Sequence, residues 1–258
     1  MSKRIAVITG ASSGMGREFV TALDRQQTFD ELWLIARRED RLTALQDEVR
    51  AAVRAIPLDL CDPASIDAYK ALLEIEQPDV RVLVNAGGFG RFGAFTSLLL
   101  EDQLRMIDLN DKALVAMTYT TLPFMRAGSC VYQLGSLSSF QPVPYINVYG
   151  ASKAFVLSFS RALNRELAKR GISVTAVCPF WTKTGFFDRA VDKDKEAVVK
   201  KYAAMYETKD VIARAWRDAK KGKDVSMYGF VARAQTLLTK ILPHSAIMTI
   251  WMKQQKLK

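Results

Sequence analysis

Short apolar, β-branched runs alternate along the chain with longer stretches whose apolar residues recur at helical spacing. Runs at 5–8, 32–36, 55–58, 80–84, 130–134 and 172–177 read as strands buried on both faces. Phe19, Val20 and Leu23 share one side of a helix after the first run. A charged helix is expected over 39–54, and another opens at Pro63 with Asp62 as its N-cap. A long helix over 98–125 and one over 149–169 follow, the latter stopped before Gly171. This alternation predicts an α/β fold, a doubly wound parallel sheet of about seven strands with helices on both faces. Residues 225–227 supply the seventh strand.

After Pro179 the alternation loosens. Residues 180–224 read as a substrate loop region, rich in aromatics from Phe180 to Tyr206, with a helical segment near 209–220. Residues 229–258 read as a helical C-terminal extension interrupted by Pro243. No internal repeat, low-complexity tract or linker divides the chain, so 1–258 reads as a single domain. In such sheets a ligand lies beyond the C-terminal strand ends, where every unusual motif of this chain falls.

Composition narrows the class. Of 258 residues, 49% are hydrophobic and 25% charged, as in ordinary soluble domains. No apolar run approaches membrane-spanning length, and the first residues are too poor in apolar side chains for a signal peptide. Three scattered cysteines, Cys61, Cys130 and Cys178, fit reduced thiols in a cytoplasmic protein. His244 is the only histidine, so no metal site is expected. The net charge of +10 is concentrated late: residues 191–258 hold 15 Lys+Arg against 7 Asp+Glu. A solvated helical surface is the simplest explanation; nucleic acid is not an expected partner. Peripheral membrane contact by the C-terminal extension is possible but less favoured than subunit packing or closure over a substrate.

Gly10, Gly14 and Gly16 sit between the first strand and its helix, with Ser12, Ser13 and Met15 among them. Glycines there let phosphates approach the backbone at a helix N-terminus. No Gly-Lys-Ser/Thr follows, which excludes a Walker A loop. Gly10-x-Ser12-x-Gly14 also matches a nucleophile elbow, but a hydrolase lacks its base when His244 is the sole histidine. The second strand ends in Ala36, Arg37 and Arg38 where an NAD-binding carboxylate would stand, which favours NADP(H).

Tyr149 and Lys153 are four residues apart, and Ser136 lies upstream. Positions i and i+4 share a helix face. A nearby ammonium favours the phenolate and would lower the phenol pKa from its usual value of about 10.

With the 9–16 turn, Asn85-Ala86-Gly87, Ser136 and Tyr149-x-x-x-Lys153 in this order, nearly the whole chain resembles the short-chain dehydrogenase/reductases. The resemblance implies a Rossmann fold and a homodimer or homotetramer acting on a small-molecule ketone or alcohol. It implies Tyr149 as acid or base, Lys153 as its partner and a ligand of the nicotinamide ribose, and Ser136 as donor to the substrate oxygen. Asn110 would hold a water in the proton relay. Asp59 and Leu60 would contact adenine, and Asn85, Ala86 and Gly87 would support the sheet and flank the cofactor. Pro179, Thr182 and Thr184 would serve the carboxamide, although Phe180 replaces a glycine usual in the family. The 141–144 segment is similar to that of hydroxysteroid and 3-oxoacyl reductases. With the aromatics, it points to a bulky apolar substrate such as a hydroxysteroid or bile acid, the alternative being a 3-oxoacyl thioester or other lipid ketone. A non-catalytic NADP-binding sensor is the reading of a different class.

Overall fold

Strand β1 (Arg4–Thr9) shows how the sheet is built. Ile5 and Val7 face one apolar layer, Ala6 and Ile8 the other, and all four are fully buried. A strand covered on both faces must be apolar at consecutive positions. The computed structural model describes residues 2–190 and 198–257. After β1 come α1 (Gly14–Gln26), β2 (Glu31–Ala36), α2 (Glu39–Thr43), β3 (Ala52–Pro57), α3 (Pro63–Glu76) and β4 (Asp79–Asn85). Then follow α4 (Leu100–Ile107), α5 (Ala113–Thr121), β5 (Cys130–Leu134), α6 (Asn147–Leu167), β6 (Ser173–Val177) and a short α7 (Phe187–Ala190). The last elements are α8 (Thr208–Lys220), β7 (Val225–Ser226), α9 (Phe230–Ile241) and α10 (His244–Gln255). The strands form one parallel sheet in the order β3-β2-β1-β4-β5-β6-β7.

Chain direction across the sheet reverses between β1 and β4, which opens a crevice at their C-terminal ends. The glycine turn enters it. Gly10 has φ +66°, and a Cβ there would sit 2.8 Å from the Ala86 carbonyl oxygen. The Gly87 N–H donates to Thr9 Oγ1 at 3.0 Å, tying the two strand ends together.

Two expected helices are cut short. The charged segment 39–54 forms α2 and a 3₁₀ turn (Ala44–Glu48), then turns into β3. The Asp24 carboxylate accepts from the backbone of Arg50 and Ala51 at 3.1 Å, and Gln46 Oε1 accepts from Val53 N at 2.7 Å. These contacts satisfy backbone groups at the helix-to-strand change. The second, 98–125, is interrupted by a π-helical turn at Asp108–Lys112 and ends in a 3₁₀ turn holding Pro123. Single π turns inside helices recur at functional sites, and this one carries Asn110 inward. Asp62 caps α3 as expected, accepting from Ala64 N at 3.0 Å.

Gly16 packs so closely under the turn that a Cβ would lie 2.2 Å from the Gly10 carbonyl oxygen. Backbone cannot yield as a flexible side chain would. Gly16→Ala should therefore destabilise the protein by about 1–3 kcal/mol, as overpacking does. Thermal unfolding should show the midpoint falling by several degrees; an unchanged midpoint would mean the turn has slack the structure denies.

Candidate active site

Residues from several segments meet at the crevice. The end of β4 leads into Ala86 and Gly88, the end of β5 into Ser136 and Ser138, and α6 brings Tyr149 and Lys153. The loop after β6 adds Pro179, Phe180, Thr182 and Thr184, and α10 adds Trp251.

Lys153 is the most constrained member. It is 4% exposed, and its ammonium donates to the Leu134 carbonyl at 2.8 Å. Burial pulls its pKa down to about 8, while the Asp111 carboxylate acts in the opposite sense. Nζ lies 5.7 Å from the centre of the Tyr149 ring, beside the face of the phenol.

Ser136 faces the Tyr149 hydroxyl closely enough to act on its pKa. The Tyr149 ring rests among Phe92 (5.8 Å between centroids) and Phe186 (5.5 Å). Burial pushes its pKa up to about 12, against the lowering effect of Ser136. Here the structure corrects the expectation that Lys153 lowers the phenol pKa. Apolar surroundings disfavour the phenolate, and the pKa rises although an ammonium stands beside the ring. The phenol is thus protonated at neutral pH and poised as a donor.

Ser136 also caps a 3₁₀ turn (Leu137–Phe140). Its hydroxyl accepts from Ser138 N at 3.2 Å, and Ser139 Oγ donates to the Lys153 carbonyl at 2.7 Å. The serine cluster is turn chemistry and site chemistry at once, because the turn that Ser136 caps is the one fastened to α6.

Asn110 is fully buried in the π turn. Its Nδ2 donates to the Phe89 carbonyl at 3.0 Å and to Ser152 Oγ at 3.1 Å, and its Oδ1 accepts from Phe89 N at 3.1 Å. Asn110 therefore locks the 88–90 loop to α6, a role beyond the water-holding amide expected from sequence. Gly88 lies where a Cβ would come within 2.9 Å of Asn110 Oδ1 and 3.5 Å of Lys153 Nζ.

On the nucleotide side, Arg37 stands exposed at the end of β2. Asp59 after β3 is paired with Arg105 at 2.5 Å. Burial acts to raise its pKa, but the Cys61 N–H, Arg105 and Arg37 together hold it below the ordinary carboxylate value. The ion pair to Asp59 is made by Arg105. Thr184 approaches the glycine turn, its Cβ 3.6 Å from where a Gly14 Cβ would be. Met15 and Ala86 line the crevice, while Ser12 is half-buried and Ser13 exposed in the turn.

Two of the expected cofactor neighbours also make contacts within the fold. The Leu60 side chain is buried in the core with Ile35, Ile56 and Tyr69, because the β3 exit turns it inward. Asn85 lies inside the sheet, its Nδ2 donating to Thr118 Oγ1 and Gln133 Oε1, both at 3.0 Å. Phe180 does not adopt the left-handed backbone that would demand glycine. Instead its ring packs against Trp181 and Tyr206. Of the expected substrate loop region, residues 191–197 lie outside the described residues.

Sequence reasoning missed three contributors. Asp111 follows Asn110 in the π turn, and its Oδ1 is buried with no hydrogen-bond partner among the described residues. A carboxylate beside a buried-site asparagine was the available signal. Trp251 Nε1 donates to the Pro144 carbonyl at 3.1 Å. Gln255 is fully buried, accepting from Lys200 and Lys201 backbone at 2.8 and 2.9 Å. Those two side chains fasten α10 over the cleft as a roof.

This chain belongs to the short-chain dehydrogenase family, whose profile, described as "short chain dehydrogenase", matches residues 4–195. It is an oxidoreductase of alcohol and ketone groups. It is 35% identical to the NADP-dependent 3-hydroxy acid dehydrogenase YdfG of Salmonella typhimurium over 68% of this chain and 71% of that protein. It is similar to a short-chain dehydrogenase of Sphingobium yanoikuyae solved with NADPH (TM-score 0.77, 29% identity, 95% of both chains). It is also similar to the bulky-bulky ketone specific alcohol dehydrogenase of Comamonas testosteroni (TM-score 0.73, 25% identity, 95% of this chain and 93% of that one).

Asp111 gives the site a test through pH. Burial raises its pKa to about 6, with Lys153 acting to lower it. Above about pH 6 the carboxylate is ionised and supports the Lys153 ammonium, which loses its proton near pH 8. Removing that charge lowers the Lys153 pKa further. Asp111→Asn should shift the alkaline limb of the pH–rate profile for ketone reduction acidward, by about one unit. A limb left in place would separate Asp111 from Lys153.

Proposed function

We propose that the protein is an NADP(H)-dependent reductase of bulky, uncharged ketones, with Tyr149 as the acid that completes the alcohol. The observation that carries this reading is the charge of the cleft. Among the described residues that line it, Lys153 is the only ionisable cation and no carboxylate is present. The rest is largely apolar or aromatic, including Phe92, Val143, Ile146, Trp181, Phe186 and Phe187. Bulky ketones need such walls, with a few polar groups to orient them. Two buried polar atoms lack partners among the described residues, Gln141 Oε1 and Ser138 Oγ. They suit a substrate that carries a hydrogen-bond donor, such as a second hydroxyl.

The charge pattern argues against substrates of the kind named for the Salmonella relative. A hydroxy acid presents a carboxylate, and burying it without a dedicated cation is strongly unfavourable. The name of the Comamonas neighbour fits this cleft better. A hydroxysteroid is the fuller form of the proposal. A 3-oxoacyl thioester is the alternative, its anionic carrier necessarily left outside the cleft.

NADP(H) fits the residues present. Gly10, Ser12, Ser13, Gly14, Met15 and Gly16 would hold the pyrophosphate, and Arg37 with Arg38 the 2′-phosphate. Asp59 and the Leu60 backbone would border the adenine. Asn85, Ala86 and Gly87 would flank the cofactor, and Pro179, Thr182 and Thr184 the carboxamide. When bound, the reduced nicotinamide supplies the hydride. The chain supplies the rest. Ser136 donates to the carbonyl oxygen as negative charge grows there. Tyr149 gives its phenolic proton to that oxygen, and Lys153 stabilises the phenolate left behind. Burial pushes the phenol up to about 12, so it carries its proton at neutral pH, as a donor must.

The three cysteines are free thiols, in keeping with a cytoplasmic setting. Among the described residues no helix is long and apolar enough to cross a membrane. Leu100, Leu104, Ile107 and Phe155 expose an apolar face on α4 and α6, suited to a second copy in a homodimer or homotetramer.

Cofactor consumption against a panel of ketones tests the substrate and the cofactor together. We expect kcat/KM with NADPH to favour neutral steroid-sized ketones over small keto acids by about 100-fold or more, the scale set by an unpaired buried charge. NADH should be the poorer cofactor by about 10-fold or more. A preference for small keto acids would overturn the proposal.

A further inference from the structure

We propose that the outer face of α9 docks the protein on an anionic lipid surface. α9 is amphipathic in the reverse sense to an ordinary surface helix. Its inner side buries Ala232 and Thr236, small residues at 0% and 4% exposure. Its large apolar side chains point outward: Phe230 is 84% exposed, Leu237 58%, Leu238 51% and Ile241 68%. At about 100° per residue, Phe230, Leu237 and Ile241 fall on one narrow stripe, which Leu238 and Val231 widen. Arg233 and Lys240 run along one edge of that stripe, both exposed. A contiguous apolar face rimmed by polar groups marks an interaction site.

Charge decides among occupants. Residues 225–258 contain no Asp or Glu, whereas Arg233, Lys240, Lys253 and Lys256 are all exposed cations. A second copy packed symmetrically on this face would set its own Arg233 and Lys240 close to the first pair, with no acid to separate them. Anionic headgroups give those cations partners, and the acyl boundary takes the apolar stripe while the basic side chains reach back to the headgroups. Closure over the substrate is already the work of α10, through Trp251 and Gln255. Gln235 of the same α9 lines the cleft, so docking would bring the cleft close to the lipid, where bulky apolar ketones partition. The docking argument itself does not rest on the substrate reading.

The test is flotation of the full-length protein with phosphatidylcholine vesicles, with and without phosphatidylserine, at low and high salt. Two variants accompany it, Leu237→Ser/Leu238→Ser/Ile241→Ser and Arg233→Glu/Lys240→Glu. Light scattering is recorded for each. We expect the wild-type protein to float with phosphatidylserine vesicles at low salt. High salt or either variant should reduce this by about tenfold or more, since both the apolar and the charge contributions are needed. Both variants should keep wild-type turnover of a soluble ketone and wild-type mass. Absence of flotation at low salt, flotation indifferent to phosphatidylserine, or flotation retained by both variants would overturn the proposal. So would a drop in oligomer mass in the apolar variant, because α9 would then be a subunit interface.

Discussion

A lysine ammonium taken out of water needs compensation from the protein around it. Lys153 receives it from the Leu134 carbonyl, from the charge of Asp111 and from the neighbouring face of Tyr149. Much of the local architecture exists to bring these together. The π turn between α4 and α5 presents Asn110 and Asp111 on successive residues. Asn110 then ties the 88–90 loop to Ser152, next to Lys153. On the other side, the Ser136–Ser139 turn holds the Lys153 carbonyl. The ammonium is thus fixed from three directions, and the phenol beside it sits in an aromatic cage that keeps it protonated.

That arrangement separates two jobs sequence alone merges. Tyr149 and Lys153 lie on one face of α6, as i,i+4 spacing requires, yet closeness does not lower the phenol pKa here. Desolvation by Phe92 and Phe186 prevails. A protonated phenol suits proton donation to a nascent alkoxide, which is far more basic. The proposal that the cleft rejects unpaired anions rests on the same desolvation, so in that reading acid chemistry and substrate class share one physical origin.

The alternation of apolar runs and helical periods made the doubly wound sheet legible, because strands buried on both faces must be apolar at consecutive positions. Ser136, Tyr149 and Lys153 were readable as neighbours for a different reason: one sits past a strand end and the other two on one helix face. Three things were not legible. The 39–54 segment has a helical pattern, but Asp24, far away in sequence, draws the Arg50–Ala51 backbone out of it. The π turn leaves no periodic signal that a window could resolve. The Leu60 side chain is buried in the core by the path of the chain after β3, which no local pattern signals. Phe180 raised a backbone question that the structure answers: its φ is ordinary and its ring joins the aromatic wall. The C-terminal extension divided unexpectedly. α10 closes the cleft through Trp251 and Gln255, and α9 keeps its apolar side turned outward.

The central claim is that the Tyr149 hydroxyl delivers the proton. Single-turnover ketone reduction by Tyr149→Phe, with NADPH affinity measured alongside, tests it most directly. The substitution keeps the ring and removes only the hydroxyl. The account predicts a loss in rate of about 10²–10⁴-fold, the range of general acid catalysis, with NADPH affinity unchanged. A variant that reduces its best ketone at the wild-type rate would contradict the account.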